Sequence, residues 1–204
     1  MYFDGYYNFA LCTPIFPLAL ILFYNNSGLI QLKKILILLF SVDLLTNLLT
    51  TYFETEYGNV FPVTNVSLII QTIIILQLIN SIEKLNKRIV NISCFFILVV
   101  FLLESMVKSN FWIYNSITLI SSHVLVIPIG WIALYRSYKE TSEFEFRILA
   151  INILYNTVFF IDIMFEDKIQ FSRELYQYLL LFTTSLYIGA NLLYGHTIWS
   201  LRKN

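Results

Sequence analysis

Residues 35–53, ILILLFSVDLLTNLLTTYF, limit what this chain can fold into more than any other part of it. At about 1.5 Å per residue, a stretch of this length crosses a hydrocarbon core of roughly 30 Å. It reads as a transmembrane helix, and it carries one ionisable residue, Asp43, close to the bilayer midplane. A carboxylate at that depth costs roughly 2.5–3.5 kcal/mol on insertion scales. The cost is tolerated only where the carboxyl faces other protein, finds a partner or takes up a proton. What Asp43 meets is therefore the central question that the sequence poses.

The remainder of the chain resembles this stretch. Of 204 residues, 58% are hydrophobic and 13% charged, where soluble domains carry about 25% charged residues. The mean hydropathy is +0.71. Seven apolar stretches, at about 7–24, 35–53, 60–80, 89–107, 111–135, 146–164 and 175–201, fill the length and leave no room for a soluble catalytic domain. The expected fold class is all-α: one integral-membrane domain, a polytopic bundle of about seven transmembrane helices. Pro14 and Pro17 lie near the middle of the first stretch and predict a bend there. The opening MYFDGYYNFA lacks the basic region of a cleavable signal, so the first span is expected to stay in the mature protein. Cys12 and Cys94 sit in apolar runs and read as packed thiols. A net charge of zero offers no basic field for nucleic acid.

With seven spans, Lys33, Lys34, Lys84, Lys87, Arg88, Arg136, Lys139, Arg147, Arg202 and Lys203 share one side, against Lys108, Lys168 and Arg173 on the other. The positive-inside rule then predicts an outside N-terminus and a cytoplasmic C-terminus. The longest connection, RSYKETSEFEFR, and the loop SIEKLNKR would be cytoplasmic. Lys84, Lys87, Arg88, Arg136 and Lys139 on them are candidates for docking a protein partner. The opposite face is acidic, and reads as a solvated surface.

Several polar groups fall near one depth within the spans. Asp43 has Asn47 one turn on, Gln71 shares a face with Thr64 and Ser67, and His123 follows Ser121 and Ser122. Asn152 and Asn156 lie four apart, and Thr183, Thr184, Tyr187 and Asn191 occupy about two turns of the last span. Lipid cannot satisfy such groups, so a bundle must turn them inward. Asp43, Asn47, Gln71, His123, Asn156, Thr184 and Tyr187 are the candidate midplane site. Two readings stand side by side: a hydrogen-bond network that fixes helix register, at about 0.6 kcal/mol per bond, or a polar cavity or proton-linked site centred on Asp43 and His123. Glu104, near the end of its span, is expected to reach water, and His196 to act as an interfacial anchor.

Other chemistry finds no support in the residues. His123 and His196 are the two histidines, neither has a second ligand-type residue one turn away, and HExxH and CxxC patterns are missing, so no metal site and no catalytic residue is expected. There is no GxSxG. The last span lacks the lysine that a retinal pigment needs. Nothing calls for a cofactor.

Three stretches carry a resemblance: VFPVTNVSLIIQTIIILQLI, FRILAINILYNTVFF and LYQYLLLFTTSLYIGANLLYGHTIWSL. They resemble the third, sixth and last spans of a group of small, uncharacterised seven-span inner-membrane proteins of Bacteroidota. That group often places an acid where this chain has Gln71, and a His near the position of Gln177. The resemblance implies the seven-span architecture and a bacterial inner membrane. The expected function is a non-enzymatic sensor or accessory subunit of a signalling or phage-defence type locus, working with a protein partner or as a homo-oligomer in the lipid bilayer. The alternatives are a small channel or proton-linked transporter using the midplane site and, third, an intramembrane lipid-modifying enzyme.

Overall fold

The computed structural model describes residues 9–23, 29–84, 87–108, 116–169 and 173–201, without the side chains of residues 87, 139–140, 162–169 and 173–176. Its elements are all helical. In chain order they are α1 (Phe9–Leu22), then α2 (Ile30–Tyr57), α3 (Phe61–Glu83), α4 (Lys87–Lys108), α5 (Ser116–Glu140), α6 (Glu143–Ile169) and α7 (Arg173–Ser200). Helices α2 to α6 each contain a segment long and apolar enough to cross a membrane. Helix α7 is equally long, at 28 residues, but polar side chains interrupt it. There Thr183, Thr184 and Ser185 return their hydroxyls to the carbonyls of Leu179, Leu180 and Leu181 at 3.0, 2.6 and 2.6 Å. Helices carry hydroxyls through apolar surroundings in this way.

The helices overrun the apolar stretches, because local chemistry sets their ends. Gly58 closes α2 in the left-handed region at φ 62°, its N–H donating to Glu54 O at 3.1 Å. The Asn59 side chain then accepts from the N–H of Phe61 at 2.8 Å, and Pro62 occupies the first turn of α3, where no N–H is needed. The bend expected of the prolines in α1 falls at Thr13 and Pro14, two residues that break the helix. The largest departure from expectation concerns RSYKETSEFEFR. It is not a long loop. Helix α5 runs on to Glu140, α6 starts at Glu143, and Thr141 and Ser142 alone join them. Ser142 and Glu145 form a reciprocal capping box: the Ser142 hydroxyl donates to Glu145 Oε2 at 2.8 Å, and the Glu145 N–H donates to Ser142 Oγ at 3.3 Å.

Packing follows a ring, α1–α2–α3–α5–α6–α7, closed by α1 against α7. Helix α3 touches α2, α4, α5 and α6 and buries twelve residues. Helix α4 packs on α3 and α5 from outside the ring and turns Ile92, Phe95, Leu102, Met106 and Val107 outward. Val107 is 83% exposed while Asn65 is 1% exposed. This inversion of the soluble pattern, together with the five apolar helices, makes the chain a membrane protein.

Glu104 departs from expectation too. It is 4% exposed and does not reach water. Its carboxylate accepts from the N–H groups of Ile117 at 3.0 Å and Thr118 at 2.7 Å, and from the Thr118 hydroxyl at 2.7 Å. Lys108 pairs with it at 2.7 Å. An acid from α4 thus caps the N-terminus of α5, satisfying donors that have no partner within that helix.

The contiguous apolar core fills one half of the bundle. Leu36, Phe40, Ile79, Ile82, Ile148, Leu149, Tyr194 and Ile198 belong to it. All lie toward the end where α2, α4 and α6 begin and α3, α5 and α7 finish. That end carries Lys33, Lys34, Lys84, Arg88, Arg136 and Arg147 and is called the basic end below. Within this half, α5 and α6 meet at Gly130, where an added Cβ would lie 2.0 Å from Ile153 Cδ1. Ile153 is fully buried and has no room to move aside. Gly130→Leu is expected to lower stability by about 1–3 kcal/mol through overpacking. Gly189→Ala is expected to cost nothing, because no atom lies within 4 Å of its Cβ position. Unfolding of the purified protein in mixed micelles measures both; equal losses in the two variants would contradict this packing.

Candidate functional site

The other half of the bundle is organised around Asp43, midway along the 28-residue α2. Its Oδ2 accepts from the Tyr187 hydroxyl of α7 at 2.6 Å, the length of a charge-assisted bond. Its Oδ1 receives a longer contact, 3.4 Å, from Gln71 Nε2 of α3. The Tyr187 oxygen in turn accepts from Asn47 Nδ2 at 2.9 Å, and the same amide donates to Leu11 O of α1 at 3.0 Å. Asn191 Nδ2, one turn beyond Tyr187, donates to Thr13 Oγ1 at 3.2 Å. This layer of side chains ties α1, α2, α3 and α7 together. It reaches α1 where the helix is broken at Thr13 and Pro14, so a backbone carbonyl and a hydroxyl are both at hand there.

Two cavities meet at the layer, and Asp43, Gln71, Leu68, Tyr155, Phe159 and Tyr187 line both. The first, about 150 Å³, lies on the basic-end side and also takes in His123, Asn152, Asn156, Asn191 and Tyr194. The second, about 360 Å³, extends toward the opposite end between hydroxyls of Thr46, Thr50, Thr64, Ser67, Thr183 and Thr184, with Asn47. A chamber and a vestibule therefore share the Asp43 layer. The chamber floor is apolar: Phe40 and Tyr194 stand edge to face with centroids 5.2 Å apart, and the packed core begins directly beneath them. The Tyr194 hydroxyl is buried beside the Asn152 side chain.

All seven candidate residues border these cavities, in different ways. Asp43, Asn47, Gln71 and Tyr187 are joined directly. His123 faces the chamber, yet no hydrogen bond links it to Asp43 among the described residues. Its Nδ1 bonds Leu119 O at 2.9 Å, and its ring stacks on Phe160 with centroids 5.5 Å apart. The ring is thus held by a backbone carbonyl and by aromatic packing. Asn156 is satisfied along its own helix by Asn152 O at 2.8 Å. Thr184 lines the vestibule with its hydroxyl bound to Leu180 O. Of the docking candidates, Lys84, Arg88 and Arg136 are exposed, whereas the side chains of Lys87 and Lys139 lie outside the described set. Lys84 closes α3 with φ 49°, a position that glycine usually takes.

Tyr155 is the residue that the sequence reading missed. It borders both cavities, its ring lies 6.1 Å from that of Tyr187, and it stacks on Phe159. Asn152, Tyr155, Asn156 and Phe159 follow the i, i+3, i+4, i+7 spacing of one helix face, so the two asparagines already pointed to it. Thr13 and Tyr194 were likewise legible only as neighbours of residues one turn away on another helix. No group of three or more His, Cys, Asp or Glu residues able to hold a metal ion occurs among the described residues.

The Asp43–Tyr187 bond is expected to show as coupling. Tyr187→Phe removes the donor and should cost about 1–2 kcal/mol in the wild-type background. In Asp43→Asn, whose neutral amide accepts less strongly, the same change should cost about 0.6 kcal/mol or less. A double-mutant cycle read by unfolding in micelles measures the difference. Strictly additive effects would show that the bond contributes nothing.

No family model matches the chain, and neither a curated protein nor a solved structure matches it.

Proposed function

We propose that this chain is a non-enzymatic sensor, a multi-pass protein of a bacterial inner membrane that receives a small cationic solute at Asp43. One observation carries the reading: the polar cavity is a dead end. The vestibule of threonine, serine and asparagine side chains leads to a carboxylate, and the chamber behind it stops at Phe40, Tyr194 and a fully buried apolar core. A channel needs a continuous wet path, and the described residues of the basic half offer none. An acid whose partners are neutral, Tyr187, Gln71 and, through Tyr187, Asn47, keeps its charge available for a cation. A purely structural crosslink could be made from Asn at lower insertion cost.

In this reading the bundle lies with the vestibule outside and the basic end in the cytoplasm, as the distribution of Lys and Arg favours. The solute arrives from outside, and the response leaves through the basic end. Lys84, Arg88 and Arg136 are exposed there, at helix ends and not on a flexible loop. A partner protein with an acidic surface is the complement that these residues suit.

Three measurements test the proposal. Reporter fusions after Asn86, Lys139 and Asn204 should report cytoplasm, and fusions near Gly58 and Asp167 the outside; a cytoplasmic signal near Asp167 would sink the seven-span arrangement. For the site, thermal unfolding of purified protein should shift upward with at least one of the alkali cations, ammonium, methylammonium or guanidinium. The shift should vanish in Asp43→Asn, and proteoliposomes should pass none of these ions. Equal shifts in the variant, or no shift with any ion, would remove Asp43 as a receiving site. Ion flux that depends on Asp43 would replace the sensor with a transporter.

A further inference from the structure

A third cavity, about 570 Å³, lies between α6 and α7 on the outer surface of the bundle. Gly189 and Ala190 form its floor, and Leu154, Val158 and Leu186 line its sides. Ser185 also borders it, but its hydroxyl is already bound to Leu181 O, so the groove stays apolar along its length. At one end stand Arg147 and His196, both exposed. Arg147 pairs with Glu143 through one guanidinium nitrogen, which leaves further donors of its planar fork unused.

The dimensions are those of a lipid tail. From Arg147 to Val158 is eleven residues of α6, about 16 Å of helix rise. One leaflet of hydrocarbon is about 15 Å, half of the roughly 30 Å core. Arg147 and His196 therefore sit near the depth of a headgroup when the groove holds a chain. The groove is also thin-walled: Tyr155 and Ala190 border it on one side and the Asp43 chamber on the other. A chain lying in it would cover the weakest part of the chamber wall.

We propose that the α6–α7 groove binds one anionic phospholipid, with an acyl chain against Gly189 and Ala190 and the phosphate at Arg147 and His196. Charge complementarity selects the anionic headgroup, and the length of the groove selects the chain. A second copy of the protein would fill an apolar groove equally well, but it would not require the Arg147 guanidinium and the His196 ring at one end only.

Native mass spectrometry of the full chain, purified in mild detergent and delipidated, tests this with dioleoyl phosphatidylglycerol and dioleoyl phosphatidylethanolamine. The wild type should retain one phosphatidylglycerol at a concentration about tenfold lower than it needs for phosphatidylethanolamine. Millimolar inorganic phosphate should not displace it, because the chain supplies much of the affinity. The double variant Arg147→Gln, His196→Gln should lose the preference, and both positions are exposed enough to leave folding intact. Gly189→Leu, which fills a site with no atom within 4 Å of the new Cβ, should lose retention of both lipids. Equal retention of the two lipids by the wild type would overturn the proposal, as would a preference that survives the double variant. Displacement by phosphate alone would reduce the site to an anion site. A dimer that persists after delipidation and dissociates in Gly189→Leu would give the groove to a second copy.

Discussion

A carboxylate midway along an apolar helix has to be answered by other side chains, and the half of this bundle away from its basic end is built from the answers. Tyr187 donates to Asp43 at 2.6 Å, Asn47 donates to Tyr187, and that amide also reaches the broken backbone of α1 at Leu11. Removing any one member leaves a polar group facing hydrocarbon or cavity, which is why such networks specify a single helix arrangement. The same requirement explains why α7 carries so many polar residues for a helix in apolar surroundings. It supplies the partners for α1 and α2, and its threonines line the vestibule.

The basic half follows a different rule. There the chain packs Leu36, Phe40, Ile79, Ile148, Leu149 and Ile198 without exposure, and dispersion and shape replace hydrogen bonds. Close approach of α5 and α6 at Gly130 belongs to this half. Helix α3 spans both regimes, with Asn65, Ser67 and Gln71 on the polar side and Ile74, Ile75, Leu78, Ile79 and Ile82 on the apolar side. Helix α4 joins the apolar side through Val90 and Ile97, and its Glu104 caps α5. The division into a polar half and an apolar half leaves both cavities on one side of the packed core.

Much of this was legible in the sequence, for physical reasons. Apolar stretches about twenty residues long leave the backbone no alternative to helix in lipid, so the helices and their order could be read directly. Asn47 and Gln71 could be tied to Asp43 because lipid satisfies none of them and a shared depth brings them together. The ends of helices were less legible, since hydropathy stops at the membrane surface while hydrogen bonding does not. Charged residues made RSYKETSEFEFR look like a loop, yet Ser142 followed three residues later by Glu145 is a capping-box spacing that marks a helix start. Glu104 was misjudged because its partners, Ile117 and Thr118, belong to the next helix, and hydropathy does not show which helix end faces a carboxylate. His123 was a fair candidate for pairing with Asp43 by depth alone, but depth says nothing of which way a ring turns, and its Nδ1 turned to Leu119.

The central claim is that the Asp43 cavity is reached from one end only. Site-directed labelling in sealed vesicles, in a chain whose Cys12 and Cys94 have been replaced by alanine, tests it most directly. Single cysteines at Thr50 and Thr183, in the vestibule, should react with a membrane-impermeant thiol reagent added on the side away from the basic loops. Cysteines at Ile79 and Ile198, in the seal, should react from neither side. Labelling of Ile79 or Ile198 positions from the basic side, or protection of Thr50 and Thr183 positions from both sides, would contradict the account.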